Sequence, residues 1–231
     1  FSDISKVVGT LAKIPWYAYI VFFLVYAVSW VLRGERWKSF LRWNKVKIKT
    51  IPSTILCAFG NYANWIVPAR IGDIAWAYAA KKVLKTKFHI TFVTIALNRF
   101  LDFFALVIVL QLIFFFVAKE MFIQWANMVN IVSSIVLVLF IFGVFIFSKE
   151  KIMMFFFRGP FKKLKEHYVI LKQSLMDSFS QRMSFIVWTI LSVVIWLLEA
   201  SVTHFLLFST GLHVNFFIVL LGVVVGNTTK T

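Results

Sequence analysis

The sequence is short of charge, and of acid most of all. Charged residues fill 15% of its 231 positions, and nine acids face 25 lysines and arginines, a formal net charge of +16. A soluble domain carries about 25% charged and roughly 45–50% apolar residues. Here 61% of residues are hydrophobic and the mean hydropathy is +0.87. A single core in a chain of this size cannot hide that excess. A soluble enzyme and a disordered chain are both excluded, and the composition is that of an integral membrane protein. Cysteine is nearly absent: Cys57 stands alone, so no internal disulfide can form. It lies in an apolar stretch and reads as a small buried hydrophobe. The four histidines, His89, His167, His204 and His213, lack ligand spacing, so no metal and no cofactor is expected. No nucleophile motif, glycine-rich phosphate loop or catalytic carboxylate pair occurs. No catalytic residue, and hence no enzyme, is expected. An initiator methionine and a cleavable signal peptide are missing, and the chain is expected to be incomplete at both ends.

What is present is a series of apolar runs with basic segments between them. In a soluble protein such basicity would suggest nucleic acid. Between apolar runs it marks cytoplasmic loops facing anionic lipid, so the expected partners are membrane lipids and anionic headgroups, with no nucleic acid. A spanning helix needs about 20 apolar residues. Candidate spans run at about 15–33, 89–117, 127–147 and 184–208, and a partial segment at 214–226 is interrupted by Gly226. The fold class expected is all-α, a polytopic membrane protein forming one transmembrane domain over 1–231.

The stretch 51–82 is apolar but broken by Asn61, Asn64, Pro68, Arg70, Gly72 and Asp73. Pro68 cannot sit inside a regular helix, so two short helices meeting at a Pro-Gly break are expected. Broken backbone at membrane depth is tolerated only inside protein or beside a wet cavity. The flanking loops are both basic: Arg33, Arg36, Lys38, Arg42, Lys45, Lys47 and Lys49 precede it, and Lys81, Lys82, Lys85 and Lys87 follow. The positive-inside rule puts both flanks in the cytoplasm, which makes 51–82 a re-entrant hairpin. The alternative is a single crossing. Lys38, Arg42, Lys45 and Lys49 share a helical face, and 149–183 is amphipathic; both are expected to lie on headgroups. A descending span with a broken segment, then an ascending span with a Gly-interrupted one, suggests inverted repeats.

Ionisable groups near the bilayer centre cost at least about 2.5–3.5 kcal/mol on insertion scales. The candidates for substrate binding are therefore Arg70, Asp73, Arg99 and Asp102, with Asn64 beside them and Glu199 as a second-half site. Arg70, held in a non-helical break, can bind phosphate bidentately or form a structural salt bridge. Asp73 falls in a first helical turn, where it either caps the helix or serves the substrate. Cross-pairing of Arg70 with Asp102 and Asp73 with Arg99 would lock the hairpin to the long helix. Asn61, Asn64 and Asn98 can satisfy broken-helix carbonyls. Glu199 either relays protons or pairs with an arginine elsewhere.

Arg36 with Leu41, then Asn64–x3–Pro68–x–Arg70–x–Gly72–Asp73, then Arg99–x2–Asp102 resemble a flippase-like family. That family includes the transmembrane region of lysylphosphatidylglycerol synthase and prokaryotic relatives, some of them archaeal. The motifs cover 33–107, with the remainder similar by topology. Two positions depart from the pattern: Trp76 stands where an Arg is frequent, and Asn98 where a Glu is frequent. A Pro-Gly-Gly segment followed by Glu is not reached by Thr231. The 231 residues hold no aminoacyl-transferase domain, so that activity is not carried over. The resemblance implies translocation of a lipid or lipid-linked headgroup across a prokaryotic cell membrane. The alternatives are a non-transporting subunit that supports a glycosyl- or lipid-modifying enzyme, and an ion-coupled small-solute transporter. A second copy of the chain or an enzyme partner is left open.

Overall fold

The computed structural model describes residues 14–67, 71–117 and 182–228, with a few isolated positions besides. Pro68, Arg70, the candidate span at about 127–147 and nearly all of the amphipathic segment at 149–183 lie outside the described residues. Within them the fold is all-α: α1 (Trp16–Trp43), α2 (Thr50–Ile66), α3 (Ile71–Leu84), α4 (Phe88–Val117), α5 (Arg182–Ser209) and α6 (Phe216–Thr228). Three are long and apolar enough to cross a membrane, within Trp16–Trp43, Phe88–Ile113 and Ile186–Ser209.

α2 and α3 run antiparallel, with Gly60 against the Trp76 ring and Gly72 against the backbone of Ala63 and Asn64. Any Cβ at either glycine would collide, so the close approach of the two helices requires them. α2 also runs antiparallel to α1. Ser53 Oγ donates to the Gly34 carbonyl at 2.7 Å, and Tyr62 stacks on Trp30 with ring centroids 5.8 Å apart. Thr50 and Leu84 therefore lie at the same end of the bundle, beside Trp43 and Phe88. Trp30 is about 21 Å along α1 from Trp16 at 1.5 Å per residue, and α2 ends one turn past Tyr62. α1 thus continues about 15 Å beyond the hairpin tip.

α1 differs from the sequence expectation. It does not end near 33 with a headgroup helix after it; it runs unbroken to Trp43. Arg33 and Arg36 stay helical because partners from α4 and α5 meet them. Lys45 and Lys49 lie past its end, so they share no helical face with Lys38 and Arg42. Gly226 does not interrupt α6, which runs on to Thr228.

Three helix ends close with a bond from the second residue past the cap back into the last turn, joined after α1 and α5 by a second, shorter-range bond. After α1, Lys45 N donates to Arg42 O and Val46 N to Leu41 O, both at 2.9 Å. After α3, Thr86 N donates to Lys81 O at 3.3 Å. After α5, Gly211 N donates to Phe208 O at 3.0 Å and Leu212 N to Leu207 O at 3.2 Å. These are Schellman-type caps, which need one left-handed residue. Gly211 (φ +84), Lys45 (φ 61) and Lys85 (φ 49) supply it. For a residue with a Cβ that conformation costs roughly 1–2 kcal/mol.

Two apolar clusters hold the bundle. One joins α1 to α4 around Trp37, Phe40, Leu41, Cys57, Trp76 and Val93, with the loop residues Val46 and Ile48 packed on it. The other joins α4, α5 and α6 around Ala105, Val109, Trp196, Ala200, Leu220 and Val224.

Candidate functional site

Between those clusters lies a polar layer near the middle of α4. Charge here is tolerable only when paired, and six charged side chains meet. Arg36 on α1 is buried, with a side-chain exposure of 1%. Its Nη2 donates to Asp102 Oδ1 at 2.7 Å, its Nε to Asn98 Oδ1 at 2.8 Å, and its Nη1 to Ser192 Oγ. One guanidinium therefore ties α1 to both α4 and α5. Arg33, one turn away, donates through Nη2 to Glu199 Oε1 at 2.7 Å and lies 3.7 Å from Asp102 Oδ1. Its guanidinium sits 5.8 Å from the Trp30 ring and 5.7 Å from the Trp196 ring, within cation–π range. Ser29 Oγ donates to Glu199 Oε1 at 3.2 Å.

The second group gathers at the hairpin. Arg99 on α4 donates through Nη2 to Asp73 Oδ1 at 2.6 Å and through Nε to both carboxylate oxygens at 3.1 and 3.2 Å. Its Nη1 donates to Asn61 Oδ1 at 2.9 Å. Asn64 Nδ2 donates to Asp73 Oδ1 at 2.9 Å. Beneath lies Trp76, its ring 5.6 Å from the guanidinium carbon. Asn64 Oδ1 is buried and has no hydrogen-bond partner among the described residues.

The structure brings Asp73 and Arg99 together across elements. Asp102 is held by Arg36 and Arg33; its expected pairing with Arg70 lies outside the described residues. Asn64 and Asn98 meet Asp73 and Arg36 and bond no carbonyl among the described residues. Asn61 does bond a carbonyl, that of Cys57 at 2.9 Å, and also receives Arg99. Glu199 takes Arg33, while His204 turns to the Val214 carbonyl at 2.9 Å. Arg33 and Arg36 are the site residues that sequence reasoning placed wrongly, in a basic loop. Their signal was the shared stripe of Ser29, Arg33, Arg36 and Phe40, spaced 4, 3, 4, on one helical face. Among the described residues no cluster of three metal-ligating side chains occurs.

The two departures from the motif fit this chemistry. Trp76 offers Arg99 a ring face where a second Arg would add an unpaired cation. Asn98 takes the Arg36 Nε–H as a neutral acceptor, since Asp102 already supplies the charge. Three arginines thus face three acids across the described layer.

No curated protein and no solved structure matches the chain. The model of the lysylphosphatidylglycerol synthase transmembrane region matches residues 1–229, and the chain belongs to that family of integral membrane proteins.

Proposed function

We propose that the protein moves a lipid, or a lipid-linked headgroup, between the leaflets of a prokaryotic cell membrane, as a transporter and not an enzyme. One observation carries the reading: Asn61, Asn64, Asp73 and Arg99 form a polar group at the inner end of a hairpin that stops partway along α1. A membrane-embedded polar group, in which Asn64 Oδ1 has no partner among the described residues, offers a headgroup donors and acceptors where lipid tails offer none. In sequence Arg70 adjoins it and would add a bidentate phosphate donor. The acyl chains would stay in the bilayer while the headgroup passes the hairpin.

The non-transporting subunit remains the second reading, favoured by the paired state of the described acids. Reconstituted vesicles decide between the two. Labelled anionic phospholipid should redistribute between leaflets faster than in protein-free vesicles, and Arg70→Lys should lower that rate without changing the melting temperature. Vesicles in which no lipid redistributes would favour the subunit reading. Re-entry has its own test in a Cys57→Ser background. Single cysteines at Lys47 and Lys85 should both label from the cytoplasmic side, and labelling from opposite sides would refute the hairpin.

A further inference from the structure

The three Schellman-type caps differ at the residue that must be left-handed. At the α5 end it is Gly211, the residue suited to positive φ. At the other end of the bundle it is Lys45 after α1 and Lys85 after α3. A lysine there carries a backbone cost that a glycine would not. Both turns are exposed, and each carries further cations. Arg42, Lys47 and Lys49 surround the first, and all are exposed. Lys81, Lys82 and Lys87 surround the second, likewise exposed. Among the described residues there are four acids, Glu35, Asp73, Asp102 and Glu199, and all are paired elsewhere. Among the described residues no cation of either turn forms an ion pair with an acid, although Arg42 lies within the field of Glu35. Exposed apolar side chains lie beside them, Ile51 at 71%, Val83 at 59% and Phe88 at 36%. Cations next to lipid-facing apolar groups suit a headgroup layer, where lysine stems lie along apolar surface and ammonium groups reach phosphate.

We propose that the two turns form one docking surface for anionic phospholipid headgroups, with Lys45 and Lys85 as its fixed points. The antiparallel packing of α1 with α2 and of α2 with α3 brings both turns to one end of the bundle. The caps pin both lysine backbones, so their charges are held by turns rather than by floppy loops. A general excess of basic residues in a loop needs no such backbone. The surface lies at the helix ends, away from the polar layer at the hairpin tip. The inference is independent of whether the protein transports, because it concerns lipid retained and not lipid moved.

A simpler role for each lysine is to offset the negative end of its helix dipole. Lys45→Gly with Lys85→Gly separates the two, because glycine relieves the strain and removes the charge. The purified full chain in a neutral detergent is melted with added phosphatidylglycerol or phosphatidylcholine, and retained lipid is counted by native mass spectrometry. Wild type should keep phosphatidylglycerol preferentially and melt higher with it, by an amount that falls as salt is raised. The double variant should melt at the wild-type temperature or above without lipid. It should also lose at least half of the phosphatidylglycerol shift. A double variant that melts lower without lipid would assign the lysines to the dipole and overturn the proposal. An unchanged phosphatidylglycerol shift, or no preference for phosphatidylglycerol in wild type, would overturn it as well.

Discussion

Arg99 and Asp102 lie one turn apart on α4, yet they serve two different networks. Asp102 turns toward α1 and α5, where Arg36 is 1% exposed and Glu199 6%. Arg99 turns toward the hairpin, where it is 21% and Asp73 15% exposed. The first network joins three long helices and uses four charges, two serines and an asparagine. The second joins the short hairpin to one long helix and leaves Asn64 Oδ1 without a partner among the described residues. A closed network is expensive to disturb, and a more open one has room to exchange a partner for a ligand. Under the proposed function, the difference makes α1, α4 and α5 the frame, and α2 and α3 the surface that would meet the headgroup.

The largest break should come from Arg36→Ala. It strips Asp102 of its closest partner and leaves Asn98 and Ser192 facing a void, so it should destabilise by about 3–5 kcal/mol. Thermal unfolding of the purified protein in detergent checks this. Gly72→Ala attacks the hairpin instead. Its Cβ would meet the Asn64 backbone, and overpacking of this kind costs about 1–3 kcal/mol. The hairpin should loosen while α1, α4 and α5 hold, so protease or hydrogen-exchange protection should fall in 50–84 before it falls in α5.

A double-mutant cycle of Asp73→Asn with Arg99→Gln should give a coupling of about 1 kcal/mol. That is less than a cycle of Arg36→Gln with Asp102→Asn, because the hairpin pair is the more exposed. Equal couplings would erase the distinction between the networks. The smallest effect belongs to Lys38→Ala. Lys38 pairs with Glu35 at 2.9 Å near the basic end, with exposures of 20% and 31%. Its loss should cost under about 1 kcal/mol and shrink further in salt.

The end of α2 at Ile66, the start of α3 at Ile71 and the Asp73–Arg99 pair could be read from the sequence. Pro68 forbids regular helix, and two Arg–acid pairs at spacing three must find partners in an apolar setting. The run of α1 to Trp43 could not. An arginine after an apolar run looks the same whether it reaches water or meets an acid on a distant helix. Asn98 and Asp102 lie more than 60 positions from Arg36, and Glu199 lies 166 positions from Arg33. Only the packing of α4 and α5 against α1 brings them together. Trp76 carried no local signal either, because its part comes from the Arg99 guanidinium above its ring.

The most direct test compares translocation with stability in one set of reconstituted vesicles. Asp73→Asn keeps the size of the side chain and its bond from Asn64, and removes the charge that holds Arg99. Glu199→Gln makes the same change in the closed network. Redistribution of labelled anionic phospholipid and the melting temperature are measured for both, beside wild type. The account predicts that Asp73→Asn alters the redistribution rate at least tenfold with a melting temperature near wild type. Glu199→Gln should lower the melting temperature more and, where folded, redistribute lipid at the wild-type rate. A folded Asp73→Asn protein that redistributes lipid like wild type would contradict the assignment of the working surface to the hairpin.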